Sequence, residues 1–568
     1  MNQHQDDDPL DAAPTIVIVG GVAGGASAAT RARRMNEKAE IILFEKDEYV
    51  SFANCGLPYY IGGEITDRNK LLVASADMLR HRFHLDVRTR QEVLAIDREQ
   101  RFVTVKRLDS GETYTQTYDR LILSPGASPF VPPIDGAPAP NVLTLRNIPD
   151  TDAIKAQVDR DGTESAVVVG AGFIGLEMVE QLVHRGVKTT LVELQPQVLP
   201  LLDAEMAQPL AEELRRHGVA MHLGTGIERI VTSANGRAES VELADGTSLA
   251  ADLVILGIGV RPNTKLAVEA GLEIGRSGGI ATNDFMQTSD PSIYAVGDVA
   301  EYPYGPTAGR QRIALAGPAN RSGRLAGEHA ATGRSAKMAS VMGTSVVRVF
   351  GITAAMTGLT MSLAGRLKQS ARAVTIIAGH HAGYYPGAEA LTLKLVYEPE
   401  TGRVLGAQAV GGAGVDKRID VIATAMHFGA TVSDLAGLDL AYAPPYGSAK
   451  DPVHMAAFAA SNDLRGIESF VEAGADLSGR QVVDVRTTME SSEAPLAGTE
   501  SVNIPLDQLR ERIGELDPKR PTVVSCAVGL RGHVASRILR QHGFNDVANL
   551  SGGAIQRTRA VEAQASRG

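Results

Sequence analysis

Two cysteines occur in 568 residues, and each sits in a phrase that could make its sulfur reactive. Cys55 stands in Ser51-Phe52-Ala53-Asn54-Cys55-Gly56-Leu57-Pro58-Tyr59-Tyr60, shortly after an apolar run that ends in an acid, Ile41-Ile42-Leu43-Phe44-Glu45-Lys46. Cys526 ends the run Val523-Val524-Ser525 and opens a six-residue loop to Arg531, with a helix expected to begin near His533. The thiolate is the nucleophile, and between turnovers its sulfur can rest as a sulfenic acid, a mixed disulfide or a persulfide. Loop amides aimed inward and a helix N-terminus would lower the Cys526 pKa and stabilise a persulfide anion. Two cysteines in so long a chain cannot build a disulfide framework, so a reducing, cytoplasmic location is expected and both thiols are candidates for chemistry.

The elements around Cys55 must hold a dinucleotide. Thr15-Ile16-Val17-Ile18-Val19 suits a buried parallel strand, Gly20-Gly21-Val22-Ala23-Gly24-Gly25 follows, and helix formers run from Ala26 to Arg34. Glycines let the backbone turn tightly and approach a pyrophosphate resting on the free amides of the helix N-terminus. Glu45, beside Lys46, lies about twenty residues on, where a carboxylate can bind ribose hydroxyls. Val22 replaces the middle glycine of G-x-G-x-x-G. A complete fingerprint comes later: the strand ending at Val169, then Gly170-Ala171-Gly172-Phe173-Ile174-Gly175, a helix from Leu176 to Arg185, a strand from Lys188 to Val192, and Glu193. Glu193 would hold the ribose diol and repel a 2′-phosphate. No Arg stands among Leu194, Gln195 and Pro196, so NADH is expected over NADPH. Leu121 to Ala127 and Ile293 to Asp298 read as further strand-and-turn units, which put Gly126, Gly297 and Asp298 at strand ends.

Composition is that of an ordinary globular protein. The net charge is −10 with Lys and Arg scattered, which argues against nucleic acid, and no apolar run is long enough for a membrane span. No metal is expected. The polar, acidic start reads as a disordered tail over residues 1–13.

Over roughly residues 14–458 the chain resembles the FAD-dependent pyridine nucleotide–disulfide oxidoreductases. The two glycine loops carry the resemblance, joined by Gly257-Ile258-Gly259-Val260-Arg261-Pro262-Asn263 and Gly317-Pro318-Ala319-Asn320-Arg321. The resemblance implies that the second fold is nested in the first, that Gly297-Asp298 serves the ribityl and phosphate part of FAD, and that hydride passes from nicotinamide to flavin. Members with C-x-x-x-x-C beside the flavin are excluded by count. What remains is the single-cysteine branch: NADH peroxidases and oxidases, coenzyme A disulfide reductases and persulfide reductases. The peroxidases place a catalytic His where this chain has Ala23. Ser51-Phe52-x-x-Cys55 and Tyr442-Ala443-Pro444-Pro445-Tyr446, with Lys450-Asp451-Pro452 behind it, resemble the coenzyme A disulfide reductases. That resemblance implies coenzyme A contacts at Ser27, Arg31, Arg34, Ser51, Asn54, Asn320 and Lys450, Arg being suited to phosphates. Phe83 stands where some relatives have a basic residue. From about Ser335 to Phe458 the resemblance implies a dimerisation domain that reaches into the partner's active site. Its Tyr442 or Tyr384 would protonate the departing thiolate, with Tyr385 and Tyr446 as competitors.

Residues 465–560 resemble a single rhodanese domain, through the C-x-x-G-x-R loop of Cys526 to Arg531, Asp484-Val485-Arg486 and Asn503-Ile504-Pro505-Leu506. The expected molecule is therefore α/β throughout. Two nested Rossmann-like domains bind FAD (14–148 and 257–334) and NADH (149–256), an α+β dimerisation domain follows (335–458), and a linker (459–468) leads to an α/β rhodanese domain (469–560). The expected activity is NADH- and FAD-dependent reduction of coenzyme A persulfide, polysulfide or coenzyme A disulfide by a homodimer, through a Cys55–coenzyme A mixed disulfide, with Cys526 handling sulfane sulfur. The alternatives are an NADH oxidase or peroxidase with a Cys55 sulfenic acid, and a sulfur-carrier or redox-sensing protein.

Overall fold

The β-branched run Thr15–Val19 forms the middle of a five-stranded parallel sheet in a computed structural model that describes residues 13–565. Residues 1–12 of the expected tail lie outside the described residues. Across the sheet the strands are Ile293–Ala295, Arg120–Leu123, Thr15–Val19, Glu40–Phe44 and Asp86–Arg88. Ile16, Val17, Ile18, Ile42, Leu43 and Ile122 are fully buried, as strands covered on both faces must be. The chain leaves this sheet after Leu123 and returns for Ile293–Ala295, so the second fold is an insertion.

The inserted sheet is also parallel, in the order Ala220–Leu223, Lys188–Glu193, Ser165–Val169, Leu253–Leu256 and Val142–Leu143. The last strand corrects the boundary expected after residue 148, because residues 142–143 already belong to the second sheet. Two residues are too short to show a period in the sequence. The glycine-loop helices run Ala23–Met35 and Phe173–His184. The helix Ala316–Thr332 crosses the first of them so closely that a Cβ on Gly323 would stand 2.1 Å from the carbonyl oxygen of Gly24.

The third domain is an antiparallel sheet in the order Ser345–Val349, Ile352–Gly358, Val404–Gly411, Ala390–Tyr397 and Arg372–Gly379. The helices Val415–His427 and Pro452–Leu464 cover it. The second helix overruns the linker expected over 459–468. Val453, Ala456, Ala457 and Ala460 recur at helical spacing and are all buried, so the chain stays helical to Leu464. A final parallel sheet follows, in the order Phe470–Val471, Val547–Leu550, Thr522–Ser525, Gln481–Asp484 and Val502–Asn503. It is fastened to the third domain: the Thr375 amide donates to Ser551 Oγ at 2.8 Å and Arg559 donates to Thr392 Oγ1 at 3.0 Å.

Candidate active site

Both glycine loops are built alike, down to single hydrogen bonds. Gly20 and Gly170 take φ of +96° and +101°, and a Cβ on Gly25 or Gly175 would stand 1.8 Å from the carbonyl oxygen of Gly20 or Gly170. Only glycine permits the turn and the close packing of helix on strand. At the end of the next strand Glu45 accepts from the amides of Gly21 (2.8 Å) and Asp47 (2.9 Å). Glu193 repeats this with Ala171 (2.7 Å) and Gln195 (2.8 Å). Each acid thereby fixes the loop it closes. Burial pushes the Glu45 carboxyl up, while Lys46 beside it is exposed.

The residues present fit two dinucleotides. Gly172 faces open space in the second loop, with Phe173 and Ile174 starting the helix behind it. In the first fold, a Cβ on Gly24 would meet Ser124 Oγ at 2.8 Å and approach the Gly297 amide to 3.4 Å, so three strand ends converge there. Asp298 stands at this convergence. Among the described residues it accepts no hydrogen bond, and burial raises its pKa against the pull of Arg312 and Arg146. A half-buried carboxylate without a donor suits a sugar or ribityl hydroxyl. Gly126 and Gly259, with φ of +68° and +108°, turn the chain where the folds join, Gly126 accepting from the Asn263 amide and Gly259 from the Phe130 amide.

Cys55 lies in the single turn Asn54–Gly56, just before the helix Leu57–Gly62, and is exposed. The protein packed around its sulfur still raises the thiol pKa, and the charges of Glu177 and Asp298 add to this. The sulfur is thus within electrostatic reach of both nucleotide folds, since Glu177 is on the second loop's helix and Asp298 is in the first fold. Ser51 holds φ of +47°; its amide donates to Gly21 and its carbonyl accepts from Val73 and Ala74, tying the cysteine segment to the first loop. Asn54 Nδ2 donates to the Arg146 carbonyl at 3.4 Å.

The residues expected to bind coenzyme A divide into groups. Ser27 Oγ donates to Asn320 Oδ1 at 2.7 Å across the helix crossing, so two positions distant in sequence do meet. Arg31 is paired with Glu328 at 2.5 Å. Arg34 turns back to the Thr30 carbonyl (2.9 Å) and lies over the Phe83 ring, 5.9 Å from its centroid. Arg33 is no solvated residue: it is buried and donates to the carbonyls of Phe83, His84, Asn36, Glu37 and Ala39. Lys450 is exposed at the head of the helix Pro452–Leu464. Tyr384 and Tyr442 meet, hydroxyl to hydroxyl, at 2.8 Å on the surface of the third domain.

The C-terminal loop holds Cys526 fully buried, with its Sγ accepting from the Gly529 amide at 3.1 Å. The helix runs Leu530–Gln541, three residues earlier than expected, because Gly529 at φ +102° turns the chain straight into it. The loop leans on the segment after Ser551: the Ala554 amide donates to the Cys526 carbonyl at 2.7 Å, and a Cβ on Gly553 would stand 2.4 Å from that oxygen. Arg531 forks onto Glu490 at 2.8 and 2.6 Å.

Residues 14–323 match the family model described as pyridine nucleotide-disulphide oxidoreductase, residues 344–452 its dimerisation domain, and residues 470–555 a rhodanese-like domain. The chain belongs to the pyridine nucleotide-disulphide oxidoreductases. A coenzyme A disulfide reductase of Staphylococcus aureus strain JH9 is 37% identical over 452 residues, which are 79% of this chain and 100% of the relative. The crystal structure of reduced Bacillus anthracis CoADR-RHD is 44% identical, with a TM-score of 0.93, and the match covers 97% of this chain and 99% of that one. A NAD-dependent persulfide reductase from A. fulgidus is 37% identical, with a TM-score of 0.89, covering 95% and 99%.

Reading the sequence of this oxidoreductase for motifs missed Glu177, Tyr59 and Glu490. Tyr59 OH donates to Glu177 Oε1 at 3.3 Å, joining the cysteine helix to the nucleotide helix, and burial pushes Glu177 up to about 7. The available signal was an acid placed among Leu176, Met178 and Val179, all fully buried. Among the described residues no helix is long and apolar enough to cross a membrane.

Proposed function

We propose that this oxidoreductase uses NADH to reduce coenzyme A disulfide or coenzyme A persulfide through a mixed disulfide at Cys55. The observation that carries the reading is an exposed cysteine whose segment is hydrogen-bonded to both nucleotide folds, Ser51 to Gly21 of the first and Tyr59 to Glu177 of the second, in a chain whose other cysteine belongs to a rhodanese-like domain. The named activities of the relatives support it.

FAD in the first fold would relay two electrons from NADH in the second to the sulfur of Cys55. Everything else falls to the chain. The Cys55 thiolate attacks one sulfur of coenzyme A disulfide, forms Cys55–S–S–coenzyme A and releases coenzyme A thiolate. With the persulfide it attacks the inner sulfur, and hydrosulfide leaves. Two electrons then cleave the mixed disulfide, restoring the Cys55 thiolate and releasing coenzyme A as its thiolate. Ser27, Asn320, Arg31, Ser51, Asn54 and Lys450 are the proposed handles for coenzyme A, which decides which sulfur is attacked. Arg31 must trade Glu328 for a phosphate. The Tyr384–Tyr442 pair would deliver the proton to the leaving thiolate from across a homodimer. Supporting a dimer, Tyr384, Phe428 and Tyr446 are 76%, 80% and 74% exposed on the third domain, more apolar aromatic surface than a free domain gains by showing. Cys526 would accept sulfane sulfur as a persulfide. Two free thiols suit the cytoplasm.

The test is anaerobic NADH oxidation with coenzyme A persulfide and coenzyme A disulfide side by side, for wild type and Cys55→Ser. Turnover with either substrate, lost in the variant by at least about 10³-fold, is expected. Faster turnover with the persulfide, accompanied by sulfide release, marks it as the better substrate. No turnover with either, but rapid oxidation in oxygenated buffer, sinks the reading in favour of an oxidase.

A further inference from the structure

Among the described residues, three basic side chains bordering the Cys526 loop, Arg531, Arg486 and His533, are each matched by a carboxylate. Arg531, within the loop, meets both oxygens of Glu490 at 2.8 and 2.6 Å. Arg486 is buried against Asp484 at 2.6 Å, and its Nη1 also reaches the Glu490 carbonyl. His533, in the first turn of the following helix, meets Glu468 at 2.7 Å. The other Glu468 oxygen accepts from Asn549 Nδ2, which also donates to the Gly529 carbonyl, so this pair too is tied to the loop. Arg537, one turn further along, spends its guanidinium on the Ile467 carbonyl at 2.6 Å.

Glu490 is not a mobile counter-ion. It is the third residue of the helix Thr488–Glu493 and closes a capping box with Thr487: its carboxylate accepts from the Thr487 amide and hydroxyl, both at 2.9 Å. With Arg531 in front of it, the carboxyl is held down to about 2, so it is ionised at any working pH. Arg531 faces the Cys526 sulfur as well as Glu490. The guanidinium that closes the Cys526 loop is therefore already neutralised by Glu490.

We propose that Glu490 sets the donor preference of the rhodanese domain: by neutralising Arg531 it makes the Cys526 loop a poor site for dianionic donors such as thiosulfate and a good one for the outer sulfur of a persulfide. The inference rests on the reading of Cys526 as a sulfur acceptor. Charge decides between the donors. Attack on thiosulfate, Cys526–S⁻ + S–SO₃²⁻ → Cys526–S–S⁻ + SO₃²⁻, gathers three negative charges in the loop, breaks the S–S bond of the donor and expels sulfite. Attack on a persulfide, Cys526–S⁻ + R–S–SH → Cys526–S–SH + R–S⁻, gathers one, and the donor's thiolate leaves with the electron pair of its S–S bond. Loop amides alone can serve the second. The first calls for an unpaired cation.

The experiment uses the full-length holoenzyme and follows sulfur loading of Cys526 by intact mass, with thiosulfate and with glutathione persulfide as donors. Wild type should load from the persulfide at least about 100-fold faster than from thiosulfate. In Glu490→Gln, which keeps an oxygen for the Thr487 cap, the thiosulfate rate should rise about tenfold or more and fall steeply with added salt, while the persulfide rate stays within about threefold. Adding Arg531→Gln to that variant should abolish the gain. NADH-dependent turnover at Cys55, expected unchanged in Glu490→Gln, reports that the chain is folded, and the wild-type ratio of donors is read without any variant. Equal loading from both donors in wild type, or an unchanged thiosulfate rate in a folded Glu490→Gln, overturns the inference. No loading of wild type from either donor overturns the reading of Cys526 itself and the preference with it.

Discussion

Burial beside Tyr59, with the negative charge of Glu180 adding to it, keeps the Glu177 carboxyl protonated up to about 7, against the pull of the Tyr59 hydroxyl and Arg348. The folded chain therefore holds a proton that the unfolded chain, with a carboxyl near its ordinary value, has released. Stability from this group is fully present below about pH 4.5 and is lost as pH rises to about 7, on the order of 3 kcal/mol at most. Glu177→Gln keeps an acceptor for Tyr59 and cannot ionise. Thermal unfolding at pH 5 and pH 8 should show the variant gaining on wild type at the higher pH, and a difference that does not change between the two would refute the assignment. Local spacing made Cys55, Glu45 and Glu193 legible, because each acts within its own strand–loop–helix unit. Tyr59–Glu177 and Arg531–Glu490 join positions 118 and 41 residues apart, and no local pattern announces them.

At the scale of elements, the crossing of Ala23–Met35 and Ala316–Thr332 positions the first glycine loop from behind. Gly323 Cα lies against Gly24, and a Cβ on Gly327 would stand 2.2 Å from the Ala28 carbonyl oxygen, so the two backbones touch with no side chain between them. Gly323→Ala forces the helices apart at the loop. It should cost about 1–3 kcal/mol and lower the flavin-to-protein absorbance ratio of the purified protein. Gly365→Ala is the control: the site is exposed, inside the helix Met361–Leu367, with nothing within 4 Å of a Cβ, so it should be neutral or slightly stabilising. Equal losses from both substitutions would show that the crossing has no special role. Glycines that serve a turn were readable in the sequence because a strand precedes them and a helix follows. Gly323 was not, because its reason is a helix that arrives from nearly the other end of the domain. The helix to Leu464 went unread for a different reason: its buried face is built of alanines, which carry little hydrophobic contrast.

For the whole molecule, the question is what makes four domains one body. Lys394, on a strand of the third domain, is buried between two acids of the second, with its Nζ 2.8 Å from Asp203 and 2.6 Å from Glu205. Asp203 is gripped further: its amide donates to Gln408 Oε1 at 2.7 Å, and its carboxylate accepts from Gln408 Nε2 at 2.7 Å and from the Ser362 amide at 2.9 Å. Burial opposes the charge on Asp203, and Lys394 with these donors outweighs it, so the carboxyl is held below its usual value. A lowered carboxyl contributes stability that is present above its unfolded value and is lost as pH falls through its folded one. The same residues line a cleft of about 390 Å³ whose far wall is the C-terminal domain, through Glu472, Ser551 and Gln564. At this junction Lys394 is the buried counter-charge that holds the third domain to the second. Lys394→Met leaves two acids with no counter-charge in a poorly hydrated place and should cost about 3–5 kcal/mol. The loss should grow from acid to neutral pH, because Asp203 in the variant is least costly when protonated. Adding Asp203→Asn should recover part of the loss, and calorimetry should show the domain transitions lying further apart in Lys394→Met than in wild type. A change within about 0.5 kcal/mol for Lys394→Met, as at an ordinary surface position, would mean that the domains hold together without the Lys394 charge.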